Sequence, residues 1–156
     1  MQPLDYSGAL DYLIDLGTRH KAIKTSASGS YDADPLGTHG WPLLFVEEEP
    51  MADEVNPGAD LYSFAFQILT KPERQGGTPN RVMLQHMKVL GDQLIEQIRR
   101  DGLVVLTEKP SKLAIAGNGS DSLATGWRYE IRIQVMNSVD RSTNADQFEP
   151  LTKSFQ

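Results

Sequence analysis

The chain has 156 residues, the size of one ordinary domain, and its 39% hydrophobic and 23% charged residues are those of a globular protein. It contains no cysteine, which excludes disulfides, thiolate catalysis and cysteine-based zinc sites. A formal net charge of −6 argues against specific or general nucleic-acid binding, whose affinity comes mostly from neutralised phosphates, but suits a protein past which DNA slides.

In chain order, residues 5–19 read as an amphipathic helix, with Tyr6, Ala9, Leu10, Leu13 and Ile14 on one stripe. Asp5 suits its N-cap, and Arg19-His20-Lys21 suit the negative end of its dipole. Residues 25–40 are rich in Ser, Gly, Asp and Pro and read as a loop with a short strand near Ser30 and Tyr31. Residues 41–48 form a strand centred on Leu43-Leu44-Phe45-Val46, and residues 49–60 form an acidic turn region with Asn56-Pro57-Gly58. The strand 61–70 alternates Tyr62, Phe64, Phe66 and Ile68 with Ser63, Ala65, Gln67 and Leu69, and pairs with 41–48 as a hairpin.

After a polar connector, Thr78-Pro79 opens a helix over 79–100 that buries Met83, Met87, Leu90, Leu94 and Ile98. At ~1.5 Å per residue it matches the length of a ten-residue strand at ~3.3 Å per residue. Residues 103–107 and 112–116 flank Glu108-Lys109-Pro110-Ser111 as a second hairpin. The last strand points Trp127, Tyr129, Ile131, Ile133 and Val135 one way and Arg128, Glu130, Arg132, Gln134 and Met136 the other. The sequence therefore predicts an α+β fold, a mainly antiparallel sheet packed on a long helix in the order α-ββ-α-βββ. Residues 1–137 form one domain and 138–156 a polar extension that orders on assembly.

No catalytic, cofactor or metal constellation stands out. His20, His39 and His86 lack metal-site spacing, and Asp32 and Asp34 are a lone pair. Gly117-Asn118-Gly119-Ser120 leads into a strand, unlike a phosphate loop, and no G-x-S-x-G turn occurs. The N-terminus lacks the basic and then apolar order of a signal peptide, and no apolar run approaches the ~20 residues of a membrane span. The residues most available to a partner are Glu47, Glu48, Glu49, Asp53 and Glu54 of the acidic run, Asn118 and Asp121 of the 117–125 loop, and the isolated Phe148, Leu151 and Phe155. Like charges this close repel unless paired, so the acidic run suits an interface with a basic surface.

Trp41-Pro42-Leu43-Leu44-Phe45-Val46-Glu47 before an acidic hairpin, the helix 79–100, and Gly126-Trp127-Arg128-Tyr129-Glu130-Ile131 leading to Met136-Asn137-Ser138 resemble the small tail-completion proteins of tailed phages. These are the tail-terminator-like subunits, particularly of phages and prophages of Bacteroidetes-type hosts, and the resemblance covers about residues 5–137. It implies a non-enzymatic virion protein, made in the host cytoplasm, that forms a ring (often a hexamer) at the head-tail junction. Its implied partners are copies of itself, the tail tube protein below and a head-tail connector above, with no cofactor and no membrane. Two other classes stay open on the residues alone: a small ligand- or protein-binding module, and an enzyme with a dispersed site using His86 or the acids of 47–54.

Overall fold

The alternating segments 59–70 and 125–136 pair antiparallel along their whole lengths in the computed structural model, which describes residues 4–29, 40–48, 50–71, 80–115, 124–136 and 144–154. They are the axis of a mixed sheet of six strands, joined by two helices in an α+β fold. In chain order the elements are α1 (Tyr6–Arg19), β1 (Thr25–Gly29), β2 (Leu43–Glu47), β3 (Met51–Asn56), β4 (Ala59–Thr70), α2 (Asn80–Asp101), β5 (Ser111–Ile115), β6 (Thr125–Met136) and a 3-10 turn at Asn144–Gln147.

The sheet order is β1-β2-β4-β6-β5, with β3 also on β4. One face carries Leu44 and Val46 of β2, Phe64, Phe66 and Ile68 of β4, and Tyr129, Ile131, Ile133 and Val135 of β6. Both helices cover this face. From α1 come Ala9, Tyr12, Leu13 and Leu16, and from α2 come Met87, Leu90, Leu94, Ile95 and Ile98. The α1 stripe is centred on Ala9 and Leu13, as the sequence reading has it, but extends to Tyr12 and Leu16, while Tyr6, Leu10 and Ile14 pack at its margin. The Asp5 side chain caps α1 by accepting from the Gly8 amide at 2.7 Å. At the end of α2, Gly102 takes a φ of 66°, and its amide donates to the Ile98 carbonyl at 3.3 Å. That left-handed turn costs glycine little and stops the helix.

Four expectations change. Residues 25–29, read as loop, form β1, which runs parallel to β2 from Thr25 opposite Leu43 to Gly29 opposite Glu47. The acidic turn region is largely a strand: β3 pairs antiparallel with residues 59–63 of β4. The turn itself is tight, with the Asn56 side chain accepting from the Gly58 amide at 2.9 Å. Residues 103–107 and 112–116 are not a hairpin. Leu106 bridges Ile133 and Ser111 lies opposite Glu130, so both segments run along the same edge of β6. The order is therefore four strands before α2 and two after it, in place of two and three. The Thr78-Pro79 helix start, the 117–123 loop and the strand near Ser30 and Tyr31 lie outside the described residues.

The two outer edges are interrupted at the same level. On the β4 side, pairing passes from Val46 opposite Phe66 to Met51 opposite Ser63, so three steps along β4 face five on the other strand, which contains Pro50. On the β6 side, it passes from Leu106 opposite Ile133 to Ser111 opposite Glu130, again three against five, with Pro110 inside. Such bulges bend and twist a sheet. They set off an arm of β3, the start of β4 and the end of β6, in which Ile133 and Val135 stay buried while all six residues of β3 are exposed.

Candidate assembly surface

On the face away from the helices, Arg128 of β6 reaches across β4 to Glu47 of β2. Arg128 Nε donates to Glu47 Oε2 at 2.8 Å and Nη2 to Oε1 at 3.2 Å, a two-point geometry. Gln67, between them on β4, adds a longer contact to the same carboxylate at 3.4 Å. Glu47 is 7% exposed, so its charge is satisfied inside the chain rather than offered to a partner. The hydrogen bond from Arg128 to Glu47 raises the guanidinium pKa further. Two strand repeats along, Arg132 binds Asp53 of β3 and Glu108 of the β6-side bulge, each at 3.0 Å. Its Nε is buried without an acceptor among the described residues. Arg132 thus ties both interrupted edges to the central strand where the arm begins.

On the helix face, the Tyr129 hydroxyl donates to Asp92 at 2.7 Å, with the Lys88 carbonyl 3.1 Å away. Lys112 and Lys88 also donate to Asp92, at 2.6 and 2.8 Å. Burial pushes the Asp92 carboxyl up, but the hydrogen bonds from Lys112, Lys88 and Tyr129 outweigh it and hold the pKa at about 2. Burial and that carboxylate push the Tyr129 hydroxyl upward. A Cβ at Gly91 would overlap the Tyr129 ring, so glycine lets the helix lie against it. Trp127 Nε1 donates to the Leu84 carbonyl at 2.8 Å and fixes α2 at a second point. These groups are saturated by one another and leave no group poised for proton transfer.

A cleft of about 430 Å³ opens between the end of α1 and the middle of α2, lined by Leu16, Arg19, His20, Lys21, Gln93, Leu94 and Gln97. His20 Nδ1 accepts from the Ala22 amide at 3.0 Å, so Nε2 carries the proton and donates to Gln93 Oε1 at 2.7 Å. Arg19 binds Asp15 and Asp101, each at 2.7 Å. Hydrogen bonds from Arg19, Tyr12 and Gln97 hold the Asp101 pKa at about 2. Lys21 lines the cleft and makes no ion pair among the described residues.

The residues singled out from the sequence are dispersed. Glu47 is inside, Glu48 accepts from the Ser28 hydroxyl at 2.6 Å, and Asp53 binds Arg132. Glu54 is exposed on β3, directly opposite Asp60 of β4. Phe148 and Leu151 are 71% and 80% exposed in a segment, 144–154, that is exposed throughout. Glu49, Asn118, Asp121 and Phe155 lie outside the described residues, as do His39, Asp32 and Asp34. His86 is exposed on α2. The sequence reading missed the partner of Glu47, which lies 81 residues away, and the cleft, whose only signal was the basic end of α1.

No group of three or more His, Cys, Asp or Glu fit to hold a metal occurs among the described residues, and no helix there is long and apolar enough to cross a membrane. Compared with known proteins, no family model matches the chain and no curated sequence matches it.

Proposed function

We propose that this chain is a structural subunit rather than an enzyme. It assembles into a ring of tail-terminator or tail-completion type at the head-tail junction of a tailed phage. The observation that carries the reading is the arm: β3 is exposed over all six of its residues, including Met51 and Val55 at 69% and 54%. A strand with so little burial contributes little to folding, whereas apolar side chains held out on a built hairpin are the material of an interface. The exposed Phe148 and Leu151 add a second such surface elsewhere in the chain. A closed ring needs two different patches on each subunit, and the arm and a second surface meet that need. The resemblance to tail-terminator-like subunits supplies the partners: further copies, the tube protein and a connector.

Native mass and tail assembly test this. A discrete multimer, and tails that fail to complete when the gene is removed, are the expected results; a monomer with intact tails rejects the reading. Deleting residues 144–156 should leave the melting temperature unchanged and reduce assembly, since residues 144–154 are exposed throughout. A second reading, a small ligand- or protein-binding module, is favoured by the α1–α2 cleft with its polar rim and leucine floor. It predicts a monomer with a saturable ligand.

A further inference from the structure

Two charged features without ion-pair partners among the described residues have opposite signs. On the arm, Glu54 and Asp60 stand directly opposite each other across the β3–β4 pair, where like charges repel. Among the described residues no cation pairs with either of them. In the cleft the sign is reversed at Lys21: no acid lines the cleft, and while Arg19 is held by Asp15 and Asp101, Lys21 pairs with no carboxylate among the described residues. Beside Glu54, Val55 is 54% exposed at the register shift between Glu54 and Asn56, next to the hairpin turn.

These features cannot meet in one molecule. The N-terminal end of α1 lies by the arm, where Tyr6 stacks on Tyr62 and Phe64 at 5.7 and 6.0 Å between ring centroids. The cleft is at the other end of α1, fourteen residues on, or roughly 20 Å at ~1.5 Å per residue. A patch at one end and its complement at the other give a head-to-tail contact, the kind that closes into rings.

Building on the ring reading above, we propose that the tip of the β3–β4 hairpin of one copy docks in the α1–α2 cleft of the next. Glu54 and Asp60 then meet Lys21, and the exposed Val55 is covered at the mouth of the cleft. Each copy gives one arm and receives one.

The test is charge reversal, read by native mass spectrometry and sedimentation across a concentration series at low and physiological salt. Lys21→Glu and Glu54→Lys are each expected to convert the multimer to monomer, and the two together in one chain to restore it. A multimer that survives either single reversal, or a double variant that stays monomeric, overturns the docking while leaving the ring reading in place. A wild-type chain that is monomeric throughout overturns both. Both positions are exposed, so the fold should hold. If a reversal lowers the melting temperature, cross-linking decides, because the chain has no cysteine of its own. An equimolar mixture of Lys21→Cys and Glu54→Cys chains, treated with a short bis-maleimide, should yield mixed 21–54 pairs well above those of either chain alone. Equal yields overturn the proposal.

Discussion

Strands β4 and β6 pass through two different surroundings. Where Phe66 and Ile68 lie opposite Tyr129 and Trp127, the inner face is sealed by two helices and stapled to α2 through Asp92 and the Leu84 carbonyl. Where residues 59–63 carry β3, Ile133 and Val135 still bury the inner face opposite Tyr62 and Asp60, but all six residues of β3 are exposed. The central pair of strands is thus held by apolar burial along its length, whereas β3 is held by backbone pairing and the Asp53–Arg132 ion pair. Stability and availability to a partner are therefore separated between neighbouring strands.

The largest test of this difference is among the covered residues. Ile131→Ala or Leu94→Ala should each cost ~2–5 kcal/mol in chemical denaturation as large-to-small changes in a packed core. Val55→Ala in the arm should stay within ~0.5 kcal/mol. Core costs below about 1 kcal/mol would erase the contrast. Next comes Gly91→Ala, for which overpacking against the Tyr129 ring should cost ~1–3 kcal/mol. Replacing one partner of the inner ion pair, as in Glu47→Gln, should cost about 2–3 kcal/mol, under the usual range for a fully buried pair because Arg128 keeps part of its side chain in water. Converting Arg128→Met in the same chain should then cost less than the sum of the two single changes. Arg132→Met, whose carboxylate partners are mostly exposed, should cost no more than about 1 kcal/mol.

The smallest expected effect is in pH. The Asp92 carboxyl is held at about 2 in the folded chain, below the ~3.9 of an unfolded aspartate. A depressed carboxylate adds stability above its unfolded pKa, and that contribution is lost as pH falls through the folded one. Melts taken from about pH 5 down to pH 2 should therefore decline, and Asp92→Asn should flatten part of the decline. Asp101, also at about 2, should account for a further part.

What could be read in advance follows from the physics that holds each element. The α1, β4, α2 and β6 segments advertise themselves because one face is buried, and burial writes a period into the sequence. Strand β1, Thr-Ser-Ala-Ser-Gly, has no such alternation, since it forms through parallel pairing with a segment eighteen residues on. Strand β3 buries nothing and is set by the tight turn at Asn56-Pro57-Gly58, so its acidic sequence reads as a loop. Lys109-Pro110 has the chemistry of a turn, yet a long neighbouring strand can absorb it as a bulge. The candidate surface was legible only in part: the acidic run was visible, but which of its members are neutralised depends on Arg128 and Arg132, far along the chain.

The proline-bearing interruption beside β6 also bears on solubility. Residues 106–115 border the sheet, and among the described residues nothing pairs with their outer side. An open row of ten residues would be a template onto which stray strands add. Pro110 has no amide hydrogen to donate, the bulge breaks the row's straightness, and the exposed Lys109 sets positive charge beside it. The chain can thus keep Leu113 exposed at 65% on β5 without a long, flat, sticky border, and unwanted fibre growth is discouraged at the rim where it would otherwise begin.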